Sequence, residues 1–359
     1  MVFVIAGEPS GDALGARLMA ALKERATGNI NFSGVGGPLM EAEGLSSLFP
    51  MSDLSLMGFV EILPHIPKLR RRINQTVREV LKLRPSVLVT IDSPGFNLRV
   101  ARRLKGRGVP LVHYVAPSVW AWKPGRARKV AGFLDHMLAL LPFEPPYFEK
   151  AGLPCTFVGH PVLETGAGDG EAFRRRHGIG QEETLICVLP GSRRGEFKRL
   201  LPVFGKTLKL LAAARSNMRV VAPVVDGAKA DVAAAAANWT FPGPFPGPSP
   251  GPSPALILEG NEEKMDAFAA SNAALAASGT VSLELAMAGT PMVIAYKVTP
   301  FSAWLARRLI RVKFASLVNI ILNRMAILEF LQEDCRPEPL ARALENLLCD
   351  EKARAAQKS

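Results

Sequence analysis

A chain of 359 residues is long enough to bury two separate cores, and 48% hydrophobic against 21% charged residues excludes a disordered protein. The net charge of +12 predicts attraction to anions, which nucleic acid, membrane phosphates and a phosphorylated substrate all satisfy. That charge is dispersed among helices with no nucleic-acid-binding motif beside it, and the four cysteines lie far apart without metal-ligand spacing, so neither a nucleic-acid partner nor a metal site is expected.

The chain opens on a strand, Val2–Gly7, that runs into a glycine turn and lacks the basic and apolar layout of a signal peptide. Strands then follow at Asn31–Val35, Val87–Asp92, Leu111–Ala116, His136–Leu141 and Thr156–Gly159. Helical patterns lie between them at Ala13–Arg25 and Lys68–Arg84, with Pro67 in the first-turn position and Pro85 as the stop. After small, flexible residues near Glu164–Gly170 the alternation restarts. Strands are expected at Leu185–Leu189, Met218–Val225, Ala255–Leu258, Ala273–Ala277 and Pro291–Tyr296, with helices at Lys198–Ala214, Ala228–Asn238, Glu263–Ser271 and Val281–Ala288. Such alternation implies two doubly wound α/β domains with parallel sheets, 1–165 and 166–334, facing across a cleft. The segment Phe241–Pro254, rich in Pro and Gly, excludes helix and central strand and is expected to loop out without a catalytic part. No uncharged apolar run reaches the roughly 18 residues needed to cross a bilayer.

Three strand-to-helix turns carry chemistry. In IAGEPSGDALGA the residues Glu8, Ser10, Gly11 and Asp12 stand where a backbone can approach an anion at a helix N-terminus, though taken alone the motif reads first as structural capping. In LPGSRRGE, Gly191 and Ser192 precede Arg193, whose forked guanidinium can clamp a diphosphate. In AASGTVSLELAMAGTPMVI, Ser278, Gly279 and Thr280 present hydroxyls and amides, and Glu284 follows where a carboxylate accepts the hydroxyls of a ribose. Two anion-ready turns and a carboxylate in one domain read as a nucleotide-diphosphate site.

Asp92 ends the buried run VLVTI, at the kind of strand end where open α/β sheets carry their chemistry; a turn or cap is the plainer explanation. Trp120 and Trp122 in a Pro-bounded loop beside Lys123, Arg126 and Arg128 suggest a wall for a sugar or an acyl chain. His113 and His160 are more simply read as hydrogen-bonded interior residues. Two helical stripes bordered by cations fit a membrane surface as well as a core: Ile66, Leu69, Ile73, Val77 and Leu81 among Lys68, Arg70, Arg71 and Arg72, and Phe301, Trp304, Leu305, Leu309 and Val312 among Arg307, Arg308, Arg311 and Lys313.

AGEPSGD, MGFVEILP, IDSPGFN, HYVAPSVWAW, LPFE, FVGHP, LPGSR, ASGTVSLELAMAGTPMVIAYK and LQEDC occur in an order that resembles the lipid-A-disaccharide synthase family, over about Val2–Leu344. The resemblance implies an inverting, metal-independent glycosyltransferase of the GT-B type, with two Rossmann-like domains, that uses no cofactor. Its implied substrates are UDP-2,3-diacylglucosamine and 2,3-diacylglucosamine 1-phosphate, its products UDP and the β-1,6-linked disaccharide of lipid A. It also implies a cytoplasmic protein held peripherally at the inner membrane, with a homodimer as one arrangement and residues 335–359 packing back toward the first domain. Asp92 takes the place of the family's essential aspartate, Arg193 of its diphosphate-binding arginine and Asn319 of its nucleotide-site asparagine. Gly95 stands where the family more often has a second Asp, leaving Asp92 as the only base, and Val318 and Leu328 replace usual prolines. Other GT-B enzymes, a UDP-GlcNAc epimerase and a non-catalytic nucleotide- or nucleic-acid-binding protein are the alternatives.

Overall fold

The computed structural model describes residues 1–54, 66–122, 125–215, 217–225, 227–237, 239, 255–260, 262–309 and 312–358. The expected Pro/Gly loop at Phe241–Pro254 lies outside them. The chain divides into two compact units, Met1–Pro161 and Val162–Ser359, a few residues before the boundary expected near 165.

In the first unit, among the described residues, seven strands form one parallel sheet: β1 Val2–Ala6, β2 Phe32–Val35, β3 Ser46–Ser47, β4 Val87–Ile91, β5 Leu111–Tyr114, β6 His136–Ala139 and β7 Cys155–Phe157. Their order is β3-β2-β1-β4-β5-β6-β7. The winding reverses between β1 and β4, which run parallel with Ala6 opposite Ile91. Both faces are covered, as the near-continuous apolar strands require. Helices Ile66–Leu83 and Pro94–Leu104 bury Ile73, Val80, Phe96 and Leu104 with Phe3, Ile5 and Leu88 on one face. Helix Pro9–Arg25 buries Met19 with Val4, Val89 and Ile91 on the other. Gly34, at φ 152°, lies so close to the Val4 carbonyl that a Cβ would strike it.

The second unit repeats the plan with β8 Thr184–Leu189, β9 Met218–Val224, β10 Leu256–Glu259, β11 Ala273–Ala277, β12 Met292–Tyr296 and β13 Glu329–Leu331. Among the described residues the order is β10-β9-β8-β11-β12-β13, all parallel, with the reversal between β8 and β11. Strand β13 and the short helices Gly170–Arg176 and Leu317–Leu322 are additions to the expected elements. Helix Arg194–Ala214 packs against helix Pro337–Cys349, and Arg215 forks onto Glu345 at 3.0 and 2.9 Å. Gln357, from helix Glu351–Lys358, accepts from the Met292 amide at 2.8 Å and donates to its carbonyl at 3.2 Å. Residues 335–358, expected to return toward the first domain, therefore find these partners in the second unit.

Candidate functional site

Asp92 lies where the sheet of the first unit reverses its winding, the position at which doubly wound sheets bind ligands. Its neighbourhood is strained. Asp92 and Ser93 take left-handed φ values of 47° and 40°, and Val115, after the adjacent β5, takes 77°. Three such residues at neighbouring strand ends, none of them glycine and one β-branched, are a concentration typical of functional sites. The Asp92 amide donates to Tyr114 O at 2.9 Å, and Asn97 Nδ2 donates to Ile91 O at 2.9 Å and Asp92 O at 2.8 Å. The Asp92 side chain is half-buried, and this desolvation raises its pKa, with the Ser93 amide opposing. A carboxylate raised this way is a better proton acceptor than one in water.

At the end of β1, Gly7 approaches the Asp92 turn so closely that a Cβ on it would sit 2.6 Å from Ser93 Oγ. Glu8 is half-buried there, Ser10 is exposed, and Gly11 is buried, a built Cβ lying 3.6 Å from Ile91 O. Asp12 serves as a cap. It is 3% exposed, and its carboxylate accepts from the amides of Gly37 at 2.8 Å, Leu39 at 3.1 Å and Met40 at 3.1 Å, closing the N-terminus of helix Pro38–Ala42. After β5, half-buried Trp120 donates from Nε1 to Glu144 at 3.1 Å and meets the Phe143 ring edge-on at 5.2 Å. Burial raises the Glu144 carboxyl, with hydrogen bonds from Leu141 and Trp120 opposing. Trp122 is 39% exposed. His113 is the interior residue expected: its Nδ1 lies 2.8 Å from Thr90 Oγ1, and burial, reinforced by the Arg126 charge, pushes it down to about 4.

In the second unit the turns after β8 and β11 meet at that sheet's reversal, with Leu189 opposite Ala276. Gly191, at φ 106°, lets the chain turn into helix Arg194–Ala214, and a Cβ there would strike the Glu196 carboxylate. Glu196 itself accepts from the amides of Ser192 at 3.0 Å and Arg193 at 3.2 Å. The Arg193 side chain is 70% exposed, 3.7 Å from Glu196 Oε1. Ser278 donates to Ala315 O at 2.8 Å, while Gly279 and Thr280 are exposed. Glu284 holds Lys264 at 2.8 Å, so one oxygen of the carboxylate read as a ribose acceptor is engaged by a cation twenty residues away in sequence.

Asn319 is fully buried, and its amide uses its whole hydrogen-bonding capacity. It donates to Ile327 O and Glu329 Oε1, both at 2.7 Å, and accepts from the amides of Ala326 and Ile327, both at 2.9 Å. Glu329 in turn accepts from the amides of Ala315 at 2.7 Å and Ser316 at 2.9 Å. The asparagine thus holds the loop on which Ser278 rests.

The cationic stripes divide. On helix Ile66–Leu83, Ile66, Arg70 and Arg71 are exposed, Leu69, Val77 and Leu81 pack partly on the core, and Ile73 is buried. Arg72 turns inward, forking onto Asp53 at 2.8 and 2.6 Å and lying 4.5 Å from the Phe49 ring centre; Lys68 also pairs with Asp53. On helix Pro300–Leu309, Trp304 is 49% exposed beneath the Arg308 guanidinium, and Arg307 pairs with Glu333. Among the described residues no three His, Cys, Asp or Glu side chains gather as a metal site, and no helix is long and apolar enough to cross a membrane.

The lipid-A-disaccharide synthetase family model matches residues 2–242 and 249–359. A lipid-A-disaccharide synthase of Rhodospirillum centenum is 56% identical over 361 residues, covering 99% of this chain and 87% of the relative. One from Paramagnetospirillum magneticum is 53% identical over 363 residues, covering 99% and 90%. Among solved structures, UDP-GlcNAc 2-epimerase from Neisseria meningitidis bound to UDP-GlcNAc superposes with a TM-score of 0.66 at 11% identity, covering 100% of this chain and 94% of that one. MurG of Acinetobacter baumannii gives 0.54 at 14%, covering 99% and 94%. At such identities these two share the fold alone, that of paired Rossmann-like domains. Agreement with the family and its relatives over nearly the whole of this chain, on top of the strand-end turns described above, makes the chain a glycosyltransferase of lipid A biosynthesis that belongs to the lipid-A-disaccharide synthase family.

Proposed function

We propose that this chain joins UDP-2,3-diacylglucosamine to the 6-hydroxyl of 2,3-diacylglucosamine 1-phosphate with Asp92 as general base. The acceptor oxygen bonds to the anomeric carbon from the face opposite the diphosphate, its proton passes to Asp92, and the electron pair of the broken glycosyl–phosphate bond leaves with UDP. Inversion at that carbon gives the β-1,6 linkage. The observation that carries this reading is the half-buried Asp92 in a strained turn at the sheet's reversal, its basicity raised by desolvation.

In this reading the first domain binds the acceptor, with Glu8, Ser10, Gly11, Trp120 and Trp122 beside it. The second domain binds the UDP-sugar. Arg193, exposed and at the mouth of a 21-residue helix, meets the diphosphate charge. Ser192, Ser278, Gly279 and Thr280 offer further donors, and Glu284 keeps its second oxygen for the ribose. Because both substrates are acylated, the protein works at the cytoplasmic surface of the inner membrane. Ile66, Leu69, Arg70 and Arg71 on one helix, and Trp304, Arg307 and Arg308 on another, are its proposed contacts. Two copies of the chain associate in the same reading, which sedimentation equilibrium tests.

Asp92→Asn decides the catalytic assignment. Turnover, followed as UDP release from the two acylated substrates, should fall by 10²–10⁴-fold, the usual worth of a general base, while UDP-sugar binding persists. Retention of more than roughly a tenth of the parental rate removes Asp92 from that role.

A further inference from the structure

Asn97 does something that neither a cap nor a packing role explains. Among the described residues, the buried side-chain polar atoms without a hydrogen-bond partner are Ser93 Oγ, Asn97 Oδ1 and His113 Nε2. All three belong to the carboxyl ends of β4 and β5 or to the helix that follows Asp92. Asn97 is fully buried, so its bare oxygen is a cost that an apolar side chain of similar size would avoid. What the asparagine supplies in return is its nitrogen, which donates to the consecutive carbonyls of Ile91 and Asp92 at 2.9 and 2.8 Å. An extended strand sends successive carbonyls to opposite sides; here both point to one amide group. They do so because Asp92 and Ser93 are left-handed, a conformation that side chains other than glycine resist.

We propose that Asn97 is a positioning residue for the transfer reaction, clamping the Ile91 and Asp92 carbonyls so that the left-handed turn holds the Asp92 carboxylate in the orientation that receives the acceptor proton. This inference rests on the reading of Asp92 as the base. The clamp acts on the backbone on either side of the reacting carboxylate and does not touch substrate. Its removal should therefore act on the chemical step and leave nucleotide binding in the other unit alone.

The test compares Asn97→Ala in the parent chain and in a Ser93→Gly chain. In the parent, kcat for UDP release should fall roughly 30–100-fold per folded molecule, the scale of a misplacement near 1 Å, with KM for the UDP-sugar and UDP affinity unchanged within about threefold. Glycine adopts positive φ without steric penalty, so in the Ser93→Gly chain the turn needs the clamp less, and Asn97→Ala should cost less than about tenfold. A kcat within about threefold of the parent overturns the proposal, as does an equal loss in both backgrounds or a loss confined to KM. Should Asn97→Ala alone not fold, the double variant read against Ser93→Gly carries the same decision: a loss near 100-fold there removes the turn from the account. Asp92→Asn separates this inference from the reading beneath it. Full turnover in Asp92→Asn removes the base itself, whereas an inactive Asp92→Asn beside a parental kcat in Asn97→Ala removes only the clamp.

Discussion

Replacing Asn319 by Ala tests whether the asparagine proposed, from the family resemblance, for the nucleotide site touches the nucleotide or supports what does. The side chain donates twice and accepts twice inside the protein, to Ile327, Glu329 and Ala326. Each bond is worth about 1 kcal/mol net, and each abandoned partner is buried or half-buried, so the substitution should cost roughly 3–4 kcal/mol. For a unit of this size, 2–4 °C per kcal/mol converts this to a fall in Tm of roughly 6–16 °C. The loop carrying Ala315 loosens with it, and Ser278 loses the carbonyl to which it donates at 2.8 Å. UDP affinity should therefore fall together with Tm, the first followed by titration calorimetry and the second by scanning calorimetry on the same preparation. A tenfold loss of UDP affinity with Tm unchanged would mean that the amide faces the nucleotide directly, and the supporting role described above would be wrong.

Acid should destabilise the first unit through His113. Its imidazole is held at about 4 against an ordinary 6.5, so the unfolded chain binds the extra proton as pH falls through that window; stability present above 6.5 is reduced by about 2 kcal/mol at pH 5. Asp92 and Glu144, both raised by burial, act with the opposite sign, so the measurement is a difference: Tm between pH 7 and 5 should drop more steeply for the parent than for His113→Gln, and parallel curves would refute the assignment. At the membrane, reversing Arg70 and Arg71 to Glu should cut sedimentation with anionic vesicles at low salt at least tenfold while leaving Tm alone, because both are exposed and each cation near such a surface contributes on the order of 1 kcal/mol. Arg72→Glu should instead lower Tm, since Arg72 is folded onto Asp53 and Phe49; vesicle binding of the double reversal within twofold of the parent would move the contact elsewhere.

Much of the scaffold could be read from the residues because parallel strands buried on both faces are written as apolar runs. Val87–Ile91, Leu185–Leu189 and Ala273–Ala277 stand out at once. Strand β13 does not, since Glu329–Leu331 is only three half-buried residues beginning with an acid. The strand-end turns were legible for the same reason as the strands. What each polar side chain does in them was not, because its partner lies elsewhere in the sequence. Asp12 meets an amide 25 residues away, Arg72 a carboxylate 19 away and Glu284 a lysine 20 away. Spacing within a motif carries no record of such partners, so a cap, a buried ion pair and a ligand contact look alike. Glu196 is an exception, since its partners are the amides of its own near neighbours, three and four residues back.

Glu196 also changes what it means for a diphosphate to reach the LPGSR turn. The amides of Ser192 and Arg193 already carry an anion of the protein's own, seated against a glycine that leaves no room for a Cβ. Under the proposed reading, UDP that engages those amides exchanges one negative group for another and gains only the difference between them. The departing nucleotide has the same advantage in reverse: the Glu196 carboxylate, three and four residues along from those amides, stands ready to take back the donors. A turn built this way trades affinity for turnover, holding its product loosely without ever exposing unsatisfied donors.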